Sequence, residues 1–483
     1  MGVSPIDPAI LAIIDELRSE VAELRRENAE LRRENAELKA RVAELEAKLA
    51  RYEGKPPPDP ATPSGMTPPF RKKNKKGDHR KPGRKKGHAG SHRAALEPNR
   101  HEHHPLEHCP DCGTDLCDKP KKTRKRVVED IPPKPTEPEV TAHGVEGCWC
   151  PKCKKYVEAR VDAALPRSTL GLRVVLLAAW MHFALGTPAN AVVAYLARVH
   201  GFRVSRGGLT QAWRRLSEAL APMHAAIWEE IRAASVLHAD ETGWRVDGRT
   251  WWLWCFATKS AVLYAIDRTR ASPVVRRILG ESFAGVLVTD FFAAYGFLCA
   301  AAKQKCLAHL LRELEKVDGR NAGDTWRGFS ERTRRFVKDA LRLGAERAKY
   351  DDAEYDRRWR RLHDRLTELW SGDYADKDCH RLARRLERHR DELLVFLERD
   401  NVDATNNHGE RTIRPAVVMR KNYGGNRSEA GAETQAVLMS IFRTLEMRGV
   451  DPLDFLERAL RASLSRGETL TLPSLPSEEN VAA

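Results

Sequence analysis

The chain has 483 residues, enough for two or three domains, and a formal net charge of +15, so the first expectation is a polyanionic partner. It contains no run of about 18 apolar residues, and its charged amino-terminal segment has a helical pattern, so we expect neither a membrane span nor a signal peptide. Among the ten cysteines are two Cys-x-x-Cys pairs, a spacing typical of metal sites rather than of secreted disulfide frameworks. We therefore expect a bacterial cytoplasmic, nucleoid-associated protein.

Residues 1–53 are predicted to form a coiled coil. Residues 10–52 carry a heptad repeat in which all five d positions from Leu17 to Leu45 are leucine, and the a positions are aliphatic except for Asn28 and Asn35. Each buried asparagine amide needs its counterpart across the seam, so this pattern predicts a parallel homodimer. The alternative, a lone amphipathic surface helix, would not need leucine at every d position.

Residues 54–105 combine a linker with a basic arm. Gly54–Pro69 contains seven prolines and is predicted to be extended. Arg71–Arg100 then holds twelve lysines and arginines against two acidic residues. This density favours an arm that binds DNA phosphates over a tail that only keeps the protein soluble. The expected phosphate contacts are Arg71, Lys72, Lys73, Lys75, Lys76, Arg80, Lys81, Arg84, Lys85 and Lys86.

Residues 106–165 are predicted to form a zinc ribbon. Two Cys-x-x-Cys turns would complete one closed tetrahedral site, which makes the Zn²⁺ ion structural. A hairpin must bridge the long gap between the turns, and we expect its strands at residues 124–130 and 139–143. The predicted zinc ligands are Cys109, Cys112, Cys150 and Cys153. Cys117 and Cys148 are either buried thiols or alternative ligands.

Residues 166–232 have a helical pattern. Helices are expected at residues 172–183 and 188–199, followed by a turn at Gly201 and a third helix capped by Ser205. This order is similar to a helix-turn-helix, which would place basic residues of the third helix against DNA. An ordinary three-helix packing unit explains the pattern equally well. The residues on or near the third helix that could contact DNA are Arg206, Gln211, Arg214 and Arg215.

Residues 233–318 are predicted to begin an α/β catalytic domain. Two apolar strands, at residues 235–244 and 285–290, each supply one aspartate, Asp240 and Asp290. Two further strands, at residues 250–256 and 261–266, and a helix at 273–279 separate them along the chain. If the two aspartate strands are neighbours, their carboxylates converge at one edge of the sheet. Because two close carboxylates repel each other, they would require a divalent cation.

Residues 319–400 are charged, rich in arginine and helical in pattern. We expect them to form a helical insertion with its own apolar core, which contacts DNA or a partner subunit. Residues 401–462 would then complete the catalytic domain, and residues 463–483 would form a disordered tail. Cys306 and His309 open a helix just before this insertion, where they either pack near the acidic site or bind a metal.

Glu410 is the third acidic residue that we expect at the catalytic site. It could instead close a capping-box-like pair with Asn407, or form an i, i+4 ion pair with Arg414. Pro415 predicts that a helix running on from Glu410 is short or kinked. Rival candidates for the third acid are Glu429 and Glu433. The basic residues expected to contact DNA phosphates around this site are Arg411, Arg414, Arg420, Lys421 and Arg427.

Several segments of the chain resemble the Insertion Sequence 66 family transposases. The matching segments are Asp240-Glu241-Thr242, Thr289-Asp290 with Ala294-Tyr295, Cys306-Leu307-Ala308-His309, Asn407 to Pro415, Arg420-Lys421-Asn422, and the basic Lys81 to His88. The resemblance extends over nearly the whole chain. It departs locally at Phe291 and Phe292, where the family more often has small or polar residues, so the wall beside Asp290 is expected to be apolar.

The resemblance implies a ribonuclease-H-like catalytic domain with an acidic triad of Asp240, Asp290 and Glu410. Two Mg²⁺ or Mn²⁺ ions, about 3.5–4 Å apart, would be held by the triad and would support in-line attack at phosphodiesters of double-stranded DNA. This chemistry would cleave strands at the transposon ends and transfer them to the target DNA. The resemblance leaves open whether accessory proteins encoded by the element take part. The alternatives are a DNA-binding regulatory or architectural protein with an inactive catalytic fold, and a structure-specific nuclease.

Overall fold

The computed structural model describes residues 138–474, together with isolated positions between residues 21 and 115. The predicted coiled coil, the basic arm, the first Cys-x-x-Cys pair and the strand expected at residues 124–130 lie outside the described residues. All the elements below belong to the compact unit Pro68–Ala483.

A short hairpin surrounds the second Cys-x-x-Cys pair. Its antiparallel strands are β1, Gly147–Cys150, and β2, Lys155–Glu158. The prediction of a strand at residues 139–143 is wrong, because residues 138–146 have no regular secondary structure. The hairpin forms where aromatic residues can pair across the strands, as Trp149 and Tyr156 do.

Four helices follow, α1 to α4. Their bounds are Leu172–Phe183, Ala189–His200, Arg206–Ala219 and Ala221–Arg232. The three predicted helices are confirmed, including the left-handed Gly201 that ends α2 and the Ser205 hydroxyl that accepts a hydrogen bond from the N–H of Gly208. On α3, Arg206, Gln211 and Arg214 are exposed, whereas Arg215 is half-buried.

A five-stranded sheet forms the centre of the described structure. The strands β3 to β7 are Val236–Val246, Arg249–Ala257, Val262–Asp267, Ser282–Thr289 and Cys299–Lys305. Their order is β5-β4-β3-β6-β7, with β3, β4 and β5 antiparallel and with β6 and β7 parallel to β3. Helix α5, Ser272–Leu279, connects β5 to β6. The two aspartate strands, β3 and β6, are therefore neighbours in the sheet.

The segment after β7 is helical, as expected for an insertion. Helix α6 is Leu307–Asp318, and α7 to α10 are Asp324–Ala345, Asp352–Ser371, Lys377–Arg388 and Val395–Glu398. These helices enclose a hydrophobic cluster of their own. Its buried members include Trp326, Phe336, Leu362, Leu366, Leu369 and Leu382, so the insertion has the apolar core that the sequence predicts.

Three helices complete the structure, α11 to α13. They are Asn407–Tyr423, Glu429–Met447 and Pro452–Arg466. Helix α11 continues through Pro415, so of the two predicted alternatives, a short or a kinked helix, the short one is wrong. The first part of the expected tail is packed rather than free, because Leu470 is buried and the Arg448 guanidinium donates to the carbonyl of Pro473.

Helix α12 covers the outer edge of the sheet. The hydroxyls of Ser440 and Thr444 accept hydrogen bonds from the N–H groups of Tyr264 and Val262, at 2.8 and 3.1 Å. The outer side of an edge strand has backbone groups without a partner strand, and these hydroxyls accept hydrogen bonds from two such N–H groups of β5. Helices α1 to α4, α12 and the sheet share one hydrophobic core.

The described fold is mixed α/β with a central sheet, consistent with a ribonuclease-H-like domain. Within residues 138–474, no helix combines the length and apolar character needed to cross a membrane.

Candidate active site

Asp240 and Asp290 lie at the same edge of the sheet. Strands β3 and β6 are parallel neighbours, and His238 is paired with Val288. Asp240 lies two residues after His238, and Asp290 lies two residues after Val288. Both aspartates are therefore just beyond the carboxyl end of the parallel-paired segments. Their carboxylates are oriented by local backbone bonds: Asp240 accepts from the N–H of Glu241 at 2.9 Å, and Asp290 accepts from that of Phe292 at 2.8 Å.

Asn406 attaches the start of α11 to the strand that carries Asp240. Its side-chain amide donates to the carbonyl of Ala239 at 2.8 Å, and its oxygen contacts Nδ1 of His238 at 3.1 Å. Burial lowers the pKa of His238 to about 4. The neutral ring therefore donates from Nδ1, and Asn406 is satisfied on both sides. This docking places Glu410, in the first turn of α11, beside the aspartates.

The acidic residues of the site affect one another electrostatically. Burial raises the pKa of Asp240 well above its usual range, and the negative charges of Glu241, Asp290 and Glu410 raise it further. Because carboxylates influence a neighbour's pKa at short range, all three predicted triad members share one electrostatic environment.

Glu410 is paired with a residue that sequence reasoning did not single out. Nη1 and Nη2 of Arg312 donate to its two oxygens at 2.8 and 2.9 Å, and Nδ1 of His309 lies 3.6 Å from Oε1. The capping-box alternative is wrong, because Asn406 rather than Asn407 is the N-cap and its side chain bonds to β3. Glu410 is therefore directed toward α6.

The rival acids lie in other surroundings. Glu429 forms an ion pair with Arg268, with more than half of its side chain exposed. Glu433 is also exposed, on the following turn of α12. Neither is among the charges that raise the pKa of Asp240 most strongly, whereas Glu410 is.

Glu241 is a buried acid whose surroundings the sequence did not predict. Its carboxylate accepts from both Nε and Nη2 of Arg270, at 3.0 and 2.6 Å, and from the hydroxyl of Tyr295 at 2.7 Å. Burial and the charge of Asp290 raise its pKa, while Tyr295 and Arg270 lower it. The only sequence signal was its position next to Asp240 in a segment shared with the family.

The apolar wall expected beside Asp290 has two parts. Phe292 packs under the guanidinium of Arg270, at 4.2 Å from the ring centre. Phe291 faces the insertion helices, where its ring contacts His389 and the guanidinium of Arg385. The Phe-Phe departure from the family pattern thus joins the central sheet to the insertion.

The basic residues predicted near the site fall into two groups. Arg411, Arg414, Lys421 and Arg427 are exposed on α11 and the turn that follows it. Arg420 is instead half-buried, and its guanidinium donates to the carbonyl of Gly243 on β3. The ten predicted phosphate contacts of the basic arm lie outside the described residues.

Cys150 is the last residue of β1, and Cys153 lies in the turn that leads to β2. The N–H of Cys153 donates to Sγ of Cys150 at 3.4 Å, and this bond contributes most to lowering the pKa of the Cys150 thiol. An N–H directed at sulfur favours the thiolate form that binds metal. Their predicted co-ligands, Cys109 and Cys112, lie outside the described residues.

Comparison with known proteins identifies the family. The chain is 27% identical over 377 residues to Uncharacterized protein y4qI of Sinorhizobium fredii (strain NBRC 101917 / NGR234), an alignment covering 70% of this chain and 67% of that protein. It is 23% identical over 420 residues to Uncharacterized protein y4hP of the same strain, covering 77% of this chain and 73% of that protein. The family model "Transposase IS66 family" matches residues 167–434, which include both aspartate strands and α11. The chain therefore belongs to the IS66 family of transposases.

Proposed function

We propose that this chain is a DNA transposase that cuts and joins DNA strands, with Asp240, Asp290 and Glu410 as its metal-binding triad. One observation carries the proposal: the two aspartates lie just beyond the parallel-paired residues of neighbouring strands, each two positions after the pair His238–Val288, and Glu410 lies close enough to raise the pKa of Asp240. Three carboxylates from distant parts of the sequence thus converge on one edge of the sheet.

The chemistry of these residues fits hard divalent cations. Oxygen donors are what Mg²⁺ and Mn²⁺ prefer, and the three side chains offer only oxygen. The raised pKa of Asp240 supports a site with excess negative charge, which a bound cation would relieve. When bound, two such ions would activate the attacking hydroxyl and stabilise the leaving 3′-oxygen.

Hydrogen bonds within the protein orient the three acids, and basic residues nearby would hold the DNA. Asp240 and Asp290 are fixed by the sheet, because each carboxylate accepts a backbone N–H bond beside it. Glu410 comes from a helix whose start is bonded to β3 through Asn406. The exposed basic residues of the same helix, including Arg411 and Arg414, would bind phosphates next to the scissile bond.

The amino-terminal segments supply the remaining parts of the proposal. The coiled coil would pair two protomers, which suits an element with two ends. The basic arm, the zinc ribbon and α3 would bind those ends, with one structural Zn²⁺ held by Cys109, Cys112, Cys150 and Cys153.

The proposal is tested by incubating the protein with its flanking genomic DNA and Mg²⁺. We expect nicks at the element ends and joined strands in added target DNA, and neither product with Asp240→Asn. Cutting without joining would indicate a nuclease. Sequence-specific binding without either product, at any Mg²⁺ or Mn²⁺ concentration, would indicate a DNA-binding protein with an inactive site.

A further inference from the structure

Helices α6 and α11 bring together three side chains of types that bind transition metals. Cys306 and His309 are one turn apart at the start of α6, and Glu410 lies in the first turn of α11. One ligand atom from each residue lies within 4.8 Å of the other two. We propose that Cys306, His309 and Glu410 form a binding site for one borderline-soft divalent ion, such as Zn²⁺ or Co²⁺.

The thiol of Cys306 is positioned as a ligand would be. Cys306 is fully buried, and its sulfur accepts a hydrogen bond from the N–H of Asn406 at 3.1 Å. Burial raises the pKa of this thiol, but the N–H groups of Asn406, His309 and Ala308 lower it. These N–H groups would stabilise the thiolate once a metal ion replaces its proton.

The imidazole of His309 has an unused ligand atom. Its Nδ1 is buried and has no hydrogen-bond partner within the described part of the chain, although Glu410 lies 3.6 Å away. Buried polar atoms are usually satisfied, so an orphaned ring nitrogen calls for an explanation. Nε2 of His309 accepts a hydrogen bond from Nη1 of Arg312 at 3.2 Å, so Nδ1 carries the ring proton, which a bound metal ion would replace.

The donor set selects the kind of ion. One sulfur, one nitrogen and one oxygen suit Zn²⁺ or Co²⁺ better than Mg²⁺, which prefers oxygen alone. Ligand atoms around tetrahedral zinc lie about 3–4 Å apart, so small side-chain movements would close the 4.8 Å cluster. Arg312 now neutralises Glu410 and would have to release one carboxylate oxygen.

Occupation of this site would have a functional consequence that rests on the proposed function. Glu410 would be shared between two sites, one with Asp240 and Asp290 and one with Cys306 and His309. An ion held by the second set would withdraw the third acid from the first. We therefore expect micromolar Zn²⁺ to inhibit strand cleavage in the presence of Mg²⁺, and Cys306→Ser to remove this sensitivity.

Cobalt spectroscopy tests the site without requiring activity. Full-length protein is loaded with only one equivalent of Zn²⁺ per chain, which the four-cysteine ribbon binds first, and is then titrated with Co²⁺ under reducing conditions. We expect a thiolate-to-cobalt absorption band in the near ultraviolet that saturates at about one ion per chain. Cys306→Ser should abolish the band, whereas Cys299→Ser, which changes an exposed thiol on β7, should leave it intact.

Two further variants keep the test decisive if Cys306→Ser does not fold. His309→Gln and Glu410→Gln retain Cys306 and should each weaken Co²⁺ binding at least about tenfold, the size of effect seen even for residues that only support a ligand. Absence of the band in the wild type, or unchanged affinity in both variants, would overturn the proposal. The band needs no DNA, so a protein that binds Co²⁺ here but never cuts DNA would contradict only the proposed function.

Discussion

Arg312 and Glu410 are joined by two parallel hydrogen bonds, of 2.8 and 2.9 Å, that connect α6 to the first turn of α11. The two residues are 98 positions apart, with the whole helical insertion between them. Both oxygens of Glu410 are occupied by this bidentate contact. A cation bound with Asp240 and Asp290 must therefore compete with the guanidinium for the third acid.

This competition predicts that Arg312→Gln tightens divalent-ion binding at the triad. We expect the apparent Kd for Mn²⁺ to fall by about tenfold, corresponding to about 1.4 kcal/mol, because the freed carboxylate needs no exchange of partner. Isothermal titration measures the change. The control is Arg365→Gln, which breaks a similarly exposed pair with Asp339 inside the insertion. Weaker Mn²⁺ binding in Arg312→Gln would instead show that the guanidinium holds Glu410 in its metal-binding position.

Asp240→Asn is expected to stabilise the protein in the absence of divalent ions. The folded-state pKa of Asp240 is raised, so the native state holds this proton more tightly than the unfolded chain does. The free energy of unfolding therefore falls as the pH rises from the unfolded-state pKa of Asp240 to its folded-state pKa. Asparagine does not ionise, so it removes this loss of stability. Thermal unfolding at pH 7 should give a higher Tm for Asp240→Asn, and the difference should shrink toward pH 4.

Added Mg²⁺ should raise the Tm of the wild type and leave that of Asp240→Asn nearly unchanged. The matched control is Asp364→Asn, at an exposed position of α8. A lower Tm for Asp240→Asn without metal at pH 7 would mean that the carboxylate is stabilised rather than penalised by its surroundings.

His238 predicts a loss of stability in mild acid. Its pKa is lowered from 6.5 to about 4 in the folded protein, so the unfolded chain binds the proton first as the pH falls. The contribution is fully present above pH 6.5 and is lost between 6.5 and 4, amounting to about 2 kcal/mol at pH 5. Urea unfolding at pH 7 and pH 5 should show that His238→Asn loses less stability than the wild type by this amount.

For His238, the comparison variant is His380→Asn, which changes an exposed histidine of α9 and should behave as the wild type does. Equal acid sensitivity in His238→Asn and the wild type would mean that burial does not lower the pKa of His238 in the folded protein.

Glu241 and Glu410 should differ in their importance for cleavage. The carboxylate of Glu241 is engaged by Arg270 and Tyr295, so we expect Glu241→Gln to keep cleavage within about tenfold of the wild type. Glu410→Gln should lose roughly 10³-fold or more, because several kcal/mol of metal-dependent stabilisation disappear. Single-turnover cleavage rates decide between the two acids. The opposite ranking would make Glu241 the third member of the triad.

The aspartate strands were predictable because their signals are local. Each contains an apolar run followed directly by an aspartate, and parallel pairing of the two runs brings the aspartates to the same edge. Strand β7 gave no such signal. Its sequence, from Cys299 to Lys305, is mostly alanine, lysine and glutamine, which favour helix, and it becomes a strand only by pairing with β6 at the sheet edge.

The partners of the acids could not be predicted for a different reason. Asn406 bonds to Ala239 across 167 positions, and Arg312 reaches Glu410 across the insertion. Nothing in the sequence near Glu410 indicates which of many arginines will face it. Such pairs are fixed by how α6 and α11 pack on the sheet, which local periodicity does not determine.

The shared metal-binding role of Asp240, Asp290 and Glu410 is tested most directly by iron-directed backbone cleavage. Fe²⁺ takes the place of Mg²⁺ in the protein, ascorbate and peroxide generate radicals at the bound ion, and mass spectrometry locates the cuts. We predict cuts close to all three residues, suppressed by excess Mg²⁺ and absent from Asp240→Asn. Cuts near Asp240 and Asp290 with none near Glu410, or with cuts near Glu429 instead, would contradict the triad.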